Sequence, residues 1–121
     1  MITAALVACA LVAVDGDTLR CGVERIRLIG IDAPELPGHC RRGRRCAPGD
    51  PYRSMSSLAS ALHGRATIKR LGTDRYGRTL ALVAVNGNDL SCYQLATGNA
   101  VYVEKWDNDG SVASICHQYA Q

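Results

Sequence analysis

Carboxylates and arginines in three short segments have the types and spacing that phosphodiester chemistry needs. These segments lie far apart in the chain: DGDT at 15–18, RLIGIDAPE at 27–35 and TDRYGR at 73–78. Asp17, Asp32 and Glu35 supply hard oxygen ligands, which select a cation such as Ca²⁺. Arg27 and Arg78 supply paired N–H donors for a phosphate and for the charge that develops on it during attack. A metal, a water-orienting carboxylate and two guanidiniums suffice for phosphodiester hydrolysis.

Each segment taken alone also has an ordinary structural explanation. Asp15 and Asp17 can simply form a turn, because Asp side chains bond to their own backbone. Asp32 can end a strand before Pro34, and the third segment can be a basic turn on the surface. The functional interpretation therefore depends on all three segments converging on one pocket.

Positive charge is concentrated in the middle third of the chain. The net charge is only +3, yet residues 41–78 contain ten Arg or Lys residues against Asp50 and Asp74. This pattern favours an anionic partner such as phosphate, and ordinary surface charge is the alternative. The highest density of arginines lies in the loop that follows Glu35. This run predicts a group that clamps the nucleic-acid backbone, and a solvated loop is the alternative. The clamp residues are Arg41, Arg42, Arg44 and Arg45.

Six cysteines in a small chain favour disulfide bonds and an oxidising compartment. One pair flanks the turn at 15–18 symmetrically, a second brackets the arginine-rich loop, and the third ties the tail to an earlier segment. The predicted bonds are therefore Cys9–Cys21, Cys40–Cys46 and Cys92–Cys116. A zinc site and reduced buried thiols are the alternatives, although no pair has the CxxC spacing of a zinc site.

Length and composition are typical of one globular domain. The 121 residues are 47% hydrophobic and 21% charged, and we expect a single domain over 1–121. No apolar run reaches the length of about 18 residues that a membrane span needs. The first ten residues resemble the apolar part of an export signal without its positive start, and cleavage after Ala10 would remove part of the first strand. We expect an exported protein, periplasmic or extracellular, whose native signal peptide is missing or incomplete in this sequence.

The apolar pattern predicts a strand-rich chain with two to three helices. Strands are predicted at 5–14, 19–22, 25–31, 65–71 and 79–85. A helix is predicted at 50–63, and a shorter one ends at Ala96. Residues 36–51 form a long loop, and 104–121 form a short tail with one or two helical turns. This order, in which a helix separates the third and fourth strands, is typical of a five-stranded OB-fold barrel of the α+β class.

Together, the three segments resemble the signature of the staphylococcal nuclease (thermonuclease) family: DGDT, then R-x-x-x-x-D-x-P-E, then D-[KR]-Y-G-R. Their order and spacing are similar, and the resemblance extends over about residues 7–103. It implies an OB-fold barrel with helices and a Ca²⁺-dependent nuclease. The chain departs from the prototype in its six cysteines, in the loop after Glu35 and in a tail too short for the prototype's final helix.

The resemblance also implies a role for each matching residue. The metal residues are Asp17, Asp32, Ala33 through its backbone carbonyl, and Asp15 in support of the site. The catalytic residues are Arg27 and Arg78 on the scissile phosphate, and Glu35 beside the attacking water. The further substrate contacts are Arg75, Tyr76 and Tyr102.

We therefore expect a monomeric phosphodiesterase that cleaves single-stranded or frayed DNA and RNA with little sequence preference. By resemblance, it leaves 3′-phosphate ends. The alternative is a non-catalytic OB-fold module that binds single-stranded nucleic acid or a protein partner. Clustered acids argue against this alternative, because without a metal they would repel phosphate. A purely structural, disulfide-stapled domain would leave the basic middle third unexplained.

Overall fold

The structure is a computed structural model that describes residues 4–6 and 9–116, so part of the export-like segment and the end of the tail lie outside it. The strands of the described residues are β1 Ala5–Leu6, β2 Leu11–Asp15, β3 Thr18–Cys21, β4 Glu24–Leu28, β5 Ile31–Asp32, β6 Ala66–Thr73, β7 Thr79–Val85, β8 Asn88–Asp89 and β9 Val101–Tyr102. The helices are α1 Pro51–Ser60, α2 Leu90–Ala96, α3 Ser111–Ile115 and a 3-10 helix at Glu104–Trp106. Among these described residues, no helix is both long enough and apolar enough to span a membrane.

The main strands form a closed barrel. Their hydrogen-bonded order is β1-β6-β7-β4-β3-β2, with β8 added beside β7. The β4–β7 pair is parallel, and the other pairs are antiparallel. Because only residues 7–10 separate β1 from β2, both ends of this order belong to one stretch of chain. With β1 and β2 as two halves of the first strand, the described residues form the predicted five-stranded OB-fold barrel, and β5 pairs with β9 beside it.

An aliphatic core fills the barrel, as expected for a sequence without Phe. Alternate residues of β7 point inward, and the buried ones are Ala81, Val83 and Val85. α1 adds Leu58 and α2 adds Leu90 to the same cluster. Burial of such a Leu side chain stabilises the fold by about 1.5–3 kcal/mol, so the two helices are held against the barrel by the same contacts that fill it.

The third predicted strand, 25–31, is divided in two. Its first part is β4, but the chain turns at Ile29 and Gly30 before β5 begins. Gly30 has a φ of +79°, and a Cβ there would lie 2.7 Å from a methyl carbon of Val112. Period-two alternation could not indicate this break, because the contact with α3 that fixes it is distant in sequence. As a result, Asp32 leaves the barrel wall and lies on the β5–β9 ribbon.

The first helix is shorter than predicted but begins where expected. Asp50 caps it, since its carboxylate accepts hydrogen bonds from the backbone N–H groups of Tyr52 (3.0 Å) and Arg53 (3.2 Å). The helix ends at Ser60, three residues before the predicted end, and residues 61–64 form a turn.

Three disulfide bonds join the pairs that the sequence predicts. Their Cα–Cα distances are 5.4, 6.2 and 5.5 Å for Cys9–Cys21, Cys40–Cys46 and Cys92–Cys116. The first anchors the start of the chain to β3, the second closes a loop between β5 and α1, and the third ties the end of α3 to α2. Each bond typically adds about 2–4 kcal/mol, which a domain with a small aliphatic core needs.

Glu24 connects three strands of the barrel at its surface. Its carboxylate accepts two hydrogen bonds from Arg70 on β6 (2.8 and 2.9 Å) and one from the hydroxyl of Thr79 on β7 (2.7 Å). These bonds, led by that from Arg70, outweigh burial and lower the pKa of Glu24 from 4.5 to about 2. A carboxylate with a lowered pKa in the folded state stabilises the fold above its unfolded pKa.

We therefore predict that Glu24→Gln removes part of the acid sensitivity of this protein. The stabilisation from Glu24 is complete above about pH 5 and is lost as the pH falls toward 2, so wild type should lose more stability than the variant in that window. Urea unfolding at several pH values measures this. Glu104→Gln, which removes an exposed carboxylate, is the control. Parallel pH profiles for wild type and Glu24→Gln would contradict the prediction.

Candidate active site

The turn between β2 and β3 places Asp17 in the interior at one end of the barrel. Its residue is 3% exposed, and one carboxylate oxygen accepts the backbone N–H of Ala33 at 2.8 Å. The other oxygen accepts the hydroxyl of Thr18 at 2.9 Å. Because the Ala33 bond reaches sixteen residues along the chain, Asp17 fixes the segment that carries Asp32 and Glu35 next to the first turn.

The buried side-chain amide of Gln94 holds the β2–β3 turn against α1. The side-chain nitrogen of Gln94 on α2 donates to the backbone oxygens of Gly16 at 2.8 Å and Ser54 at 2.9 Å. Ser54 in turn donates through its hydroxyl to the backbone oxygen of Asn99. Both Gln94 and Ser54 are almost completely buried, so these hydrogen bonds are protected from water and position the turn firmly.

Arg27 lies between the two buried acids. Its Nη2 atom is 3.4 Å from a carboxylate oxygen of Asp17 and 3.8 Å from one of Asp32, and its own residue is 8% exposed. Burial raises the pKa of Asp32 above its ordinary value and the charge of Asp17 adds to this rise, whereas Arg44 and Arg27 oppose it. Burial therefore disfavours the ionised form of Asp32, and the guanidiniums of Arg44 and Arg27 compensate part of this effect.

The arginine-rich loop reaches back over these acids. Arg44 Nη2 lies 3.2 Å from both carboxylate oxygens of Asp32, and Arg44 Nη1 donates to Glu35. The same loop brings His39 to Asp15, with 3.0 Å between its Nδ1 and either carboxylate oxygen. Asp15 also accepts the backbone N–H of Leu36 at 3.2 Å, so it holds the start of the loop against the first turn.

Arg78 is positioned by the tight turn between β6 and β7. One Asp74 oxygen accepts the backbone N–H groups of Tyr76 and Arg78, both at 2.9 Å, and the other accepts Arg78 Nε at 2.8 Å. Burial alone would raise the pKa of Asp74, but these bonds outweigh it and keep the pKa below its ordinary value. Asp74 thus holds Arg78 through Nε in a position where it lines the cavity.

A cavity of about 780 Å³ brings the predicted catalytic residues together. Its lining includes the three predicted catalytic residues, Arg27, Glu35 and Arg78. Predicted substrate contacts also line it: Arg41, Arg44, Arg75 and Tyr76. Asp17 and Asp32 lie behind Arg27, in contact with its guanidinium. The residues that are distant in sequence therefore meet at one end of the barrel.

Three predicted substrate contacts do not line this cavity. Arg42 and Arg45 are exposed and are not among the lining residues. Tyr102 donates its hydroxyl to Asp107, and this bond leads the causes that raise its pKa to about 12. Because Asp107 also accepts the backbone N–H of Val112, Tyr102 here connects β9 to α3 instead of facing a ligand.

The sequence predictions left out several residues of the cavity wall, and two of them, Trp106 and Arg25, bear on its charge. Trp106 lies under two guanidiniums, with 5.3 Å from its ring centroid to Arg27 and 5.8 Å to Arg44. Arg25 lines the cavity and donates to the backbone oxygen of Tyr76. Arg25 could have been found by its place two residues before Arg27 on one strand face, whereas Trp106 depends on how the tail folds back after β9.

The residues around Asp17 fit a divalent cation by the chemistry of their donors. The two buried carboxylates of Asp17 and Asp32 offer hard oxygens, and Arg27 and Arg44 balance their charge in the absence of a metal. A different group, Glu35 with Cys40 and Cys46, has ligand atoms close together. Both cysteines are in a disulfide bond, so this group is not a metal site.

Fold and site define a small OB-fold protein with an arginine-lined cavity at one end of its barrel. The model of the family described as "Staphylococcal nuclease homologue" matches residues 25–120. The chain belongs to this family. It is also similar to the "Succinoglycan biosynthesis protein ExoI" of Rhizobium meliloti (strain 1021), with 35% identity over 108 residues that cover 84% of this chain. The match covers 54% of the relative, so the chain spans about half of that protein's length.

The packing around Gly16 should be essential for the position of Asp17. A Cβ at Gly16 would lie 1.8 Å from the Ser54 hydroxyl and 2.8 Å from the Ala33 Cβ. We predict that Gly16→Ala lowers the free energy of unfolding by about 1–3 kcal/mol, as overpacking of a core does. Urea denaturation measures this loss.

Gly72→Ala is the matched control for this prediction. Gly72 has no atom within 4 Å of its added Cβ and lies on β6, away from the turn. The control should change stability by about 0.5 kcal/mol or less, as exposed substitutions usually do. Equal effects of the two substitutions would contradict the claim that close packing fixes the turn.

Proposed function

We propose that this protein is a Ca²⁺-dependent nuclease that hydrolyses phosphodiester bonds of single-stranded or frayed DNA and RNA with little sequence specificity. The observation that carries the proposal is the meeting of Arg27, Glu35 and Arg78 in one cavity next to two buried aspartates. Family membership supports a nuclease relation, and the cavity geometry supplies the chemistry. Two arginines and one carboxylate facing the same space match a phosphate and an attacking water.

Asp17, Asp32 and the Ala33 carbonyl would hold the cation, with Asp15 supporting the site. When bound, Ca²⁺ supplies positive charge that polarises the phosphate and offsets the negative charge of the buried acids. Among the residues of this chain, Arg27 has a double role, because it neutralises both aspartates and also lines the cavity. Once a cation binds the two aspartates, the N–H groups of Arg27 can therefore donate to a phosphate in the cavity instead.

Glu35 would orient the attacking water and accept its proton. The new bond forms between the water oxygen and phosphorus, and the bond from phosphorus to the 5′ oxygen breaks. The departing 5′ oxygen takes up a proton from solvent water, so the products are a 3′-phosphate and a 5′-hydroxyl. Arg27 and Arg78 stabilise the additional negative charge on the phosphoryl oxygens at the point of attack. The paired N–H groups of a guanidinium suit these oxygens better than a point charge does.

The lining of the cavity supports nucleic acid as the substrate class. Arg41, Arg75 and Arg78 surround the ring of Tyr76, with 4.4, 5.1 and 5.6 Å from each guanidinium carbon to the ring centroid. Such a group can contact a neighbouring phosphate without recognising a base. Exposed Arg42 and Arg45 add positive charge to the same loop, so affinity should fall as salt concentration rises.

The three disulfides support a periplasmic or extracellular location, because such bonds persist in oxidising compartments. We propose one domain over residues 1–121 that acts as a monomer, since every residue assigned to the chemistry comes from the same chain. The activity of the longer relative and its place in succinoglycan biosynthesis are not needed for this proposal.

A cleavage assay on denatured DNA with Ca²⁺ and then with an excess of EDTA tests the proposal. We expect fragments with 3′-phosphate ends in Ca²⁺ and none in EDTA, because the acids then lack their cation. Cleavage that persists in EDTA would contradict the metal requirement. Binding of the DNA without any cleavage would favour the non-catalytic OB-fold module.

The Glu35→Gln variant tests the assignment of the base. Loss of a proton acceptor at this position should lower turnover by about 10²–10⁴-fold, with little change in affinity for uncleaved DNA. Single-turnover kinetics on a fluorescent oligonucleotide measures both quantities. Asp109→Asn removes an exposed carboxylate outside the cavity and should keep wild-type turnover. Wild-type turnover in Glu35→Gln would remove Glu35 from the mechanism.

A further inference from the structure

Arg44 occupies the space in which a cation can compensate both Asp32 and Glu35. Its two terminal nitrogens are divided between them, with Nη2 at 3.2 Å from the Asp32 carboxylate and Nη1 bonded to Glu35. The Arg44 side chain is 31% exposed, whereas those of Asp32 and Glu35 are 11% and 15% exposed. The guanidinium therefore lies over the acids on the side from which solvent reaches them.

Of the four arginines in the loop after Glu35, Arg44 contacts Asp32 and Glu35. The other three have different surroundings. Arg41 lies on the ring of Tyr76, and Arg42 and Arg45 are exposed. The Cys40–Cys46 bond closes the loop around Arg44, with a Cα–Cα distance of 6.2 Å. A short closed loop has fewer alternative conformations, so it holds the guanidinium near the acids at a lower cost in entropy.

This placement conflicts with the chemistry proposed for Asp32 and Glu35. A divalent ion on Asp32 and the guanidinium of Arg44 would need the same carboxylate oxygens. The Glu35 carboxylate also cannot turn the same oxygen toward an attacking water while that oxygen accepts a hydrogen bond from Arg44. Both acids become available only when Arg44 moves away.

We propose that Arg44 is a tethered cation that competes with the divalent ion and thereby sets the concentration of Ca²⁺ that the site requires. This inference rests on the proposed function, because it concerns the same carboxylates. The substrate's phosphate gives the displaced guanidinium a new bidentate partner. Phosphate and Ca²⁺ therefore favour each other's binding, and linkage makes this effect equal in both directions.

Trp106 provides a signal for the displacement. It is the single Trp of the chain, and the Arg44 guanidinium carbon lies 5.8 Å from its ring centroid. Movement of Arg44 off the ring changes the surroundings of the indole. We expect Ca²⁺ to change the fluorescence of wild-type protein, and we expect a smaller change in a variant that lacks Arg44.

Isothermal titration with CaCl₂ measures the competition directly. Arg44→Gln should bind Ca²⁺ about tenfold more tightly than wild type, because the ion no longer displaces a guanidinium from Asp32. Arg20→Gln removes the same charge from an exposed position on β3 and controls for net charge. The Ca²⁺ affinity of this control should stay within about twofold of wild type, because solvent and salt screen an exposed charge.

A second variant keeps Arg44 but frees its loop. Cys40→Ser combined with Cys46→Ser should tighten Ca²⁺ binding by about threefold, since the guanidinium is then less firmly held over the acids. This variant also tests the proposal if Arg44→Gln does not fold. Addition of a dinucleotide phosphorothioate should tighten Ca²⁺ binding more in wild type than in Arg44→Gln.

The outcomes separate this proposal from the proposed function. Equal or weaker Ca²⁺ binding in Arg44→Gln overturns the competition, while EDTA-sensitive cleavage would still support the nuclease. If neither wild type nor Arg44→Gln binds Ca²⁺, both proposals are overturned. Tighter binding in Arg44→Gln without cleavage by wild type supports the competition and contradicts only the nuclease.

Discussion

Two buried carboxylates cannot both stay ionised close together in a folded barrel without positive charge beside them. Asp17 and Asp32 satisfy this constraint through Arg27, which contacts both, and Asp32 also through Arg44. Such an arrangement costs free energy, because ions lose hydration when they are buried. The cost is understandable where the cations are exchangeable. Under the proposed function, a pocket that is balanced by guanidiniums in the free protein would exchange them for a metal and a phosphate.

The barrel supports this pocket through a few buried polar contacts. Gln94 joins the β2–β3 turn to α1, and Asp17 joins the same turn to the backbone of Ala33. Both contacts come from segments far apart in sequence, so the site forms only when the barrel closes. The disulfides limit the freedom of the segments that the small core leaves unsupported, namely the start of the chain, the loop after β5 and the tail.

Much of the fold could be predicted from local patterns. The strand at 79–85 and the Asp50 cap are local signals, and the structure has both where expected. The break at Gly30 and the position of Trp106 depend on α3 and on the fold of the tail, which no nearby residue specifies. The shared cavity of Arg27, Glu35 and Arg78 was predictable only from the three segments taken together, because each alone has an ordinary structural explanation. By contrast, a count of charges could not tell Arg44, which contacts Asp32, from Arg45, which is exposed.

A crystal structure with Ca²⁺ and a dinucleotide phosphorothioate tests the central claim most directly, because it locates the cation and the phosphate together. The account predicts Ca²⁺ on Asp17 and Asp32, the phosphorothioate between Arg27 and Arg78, and Arg44 moved away from Asp32. A phosphorothioate bound only at the exposed Arg42 and Arg45, with Arg44 still on both acids, would contradict it.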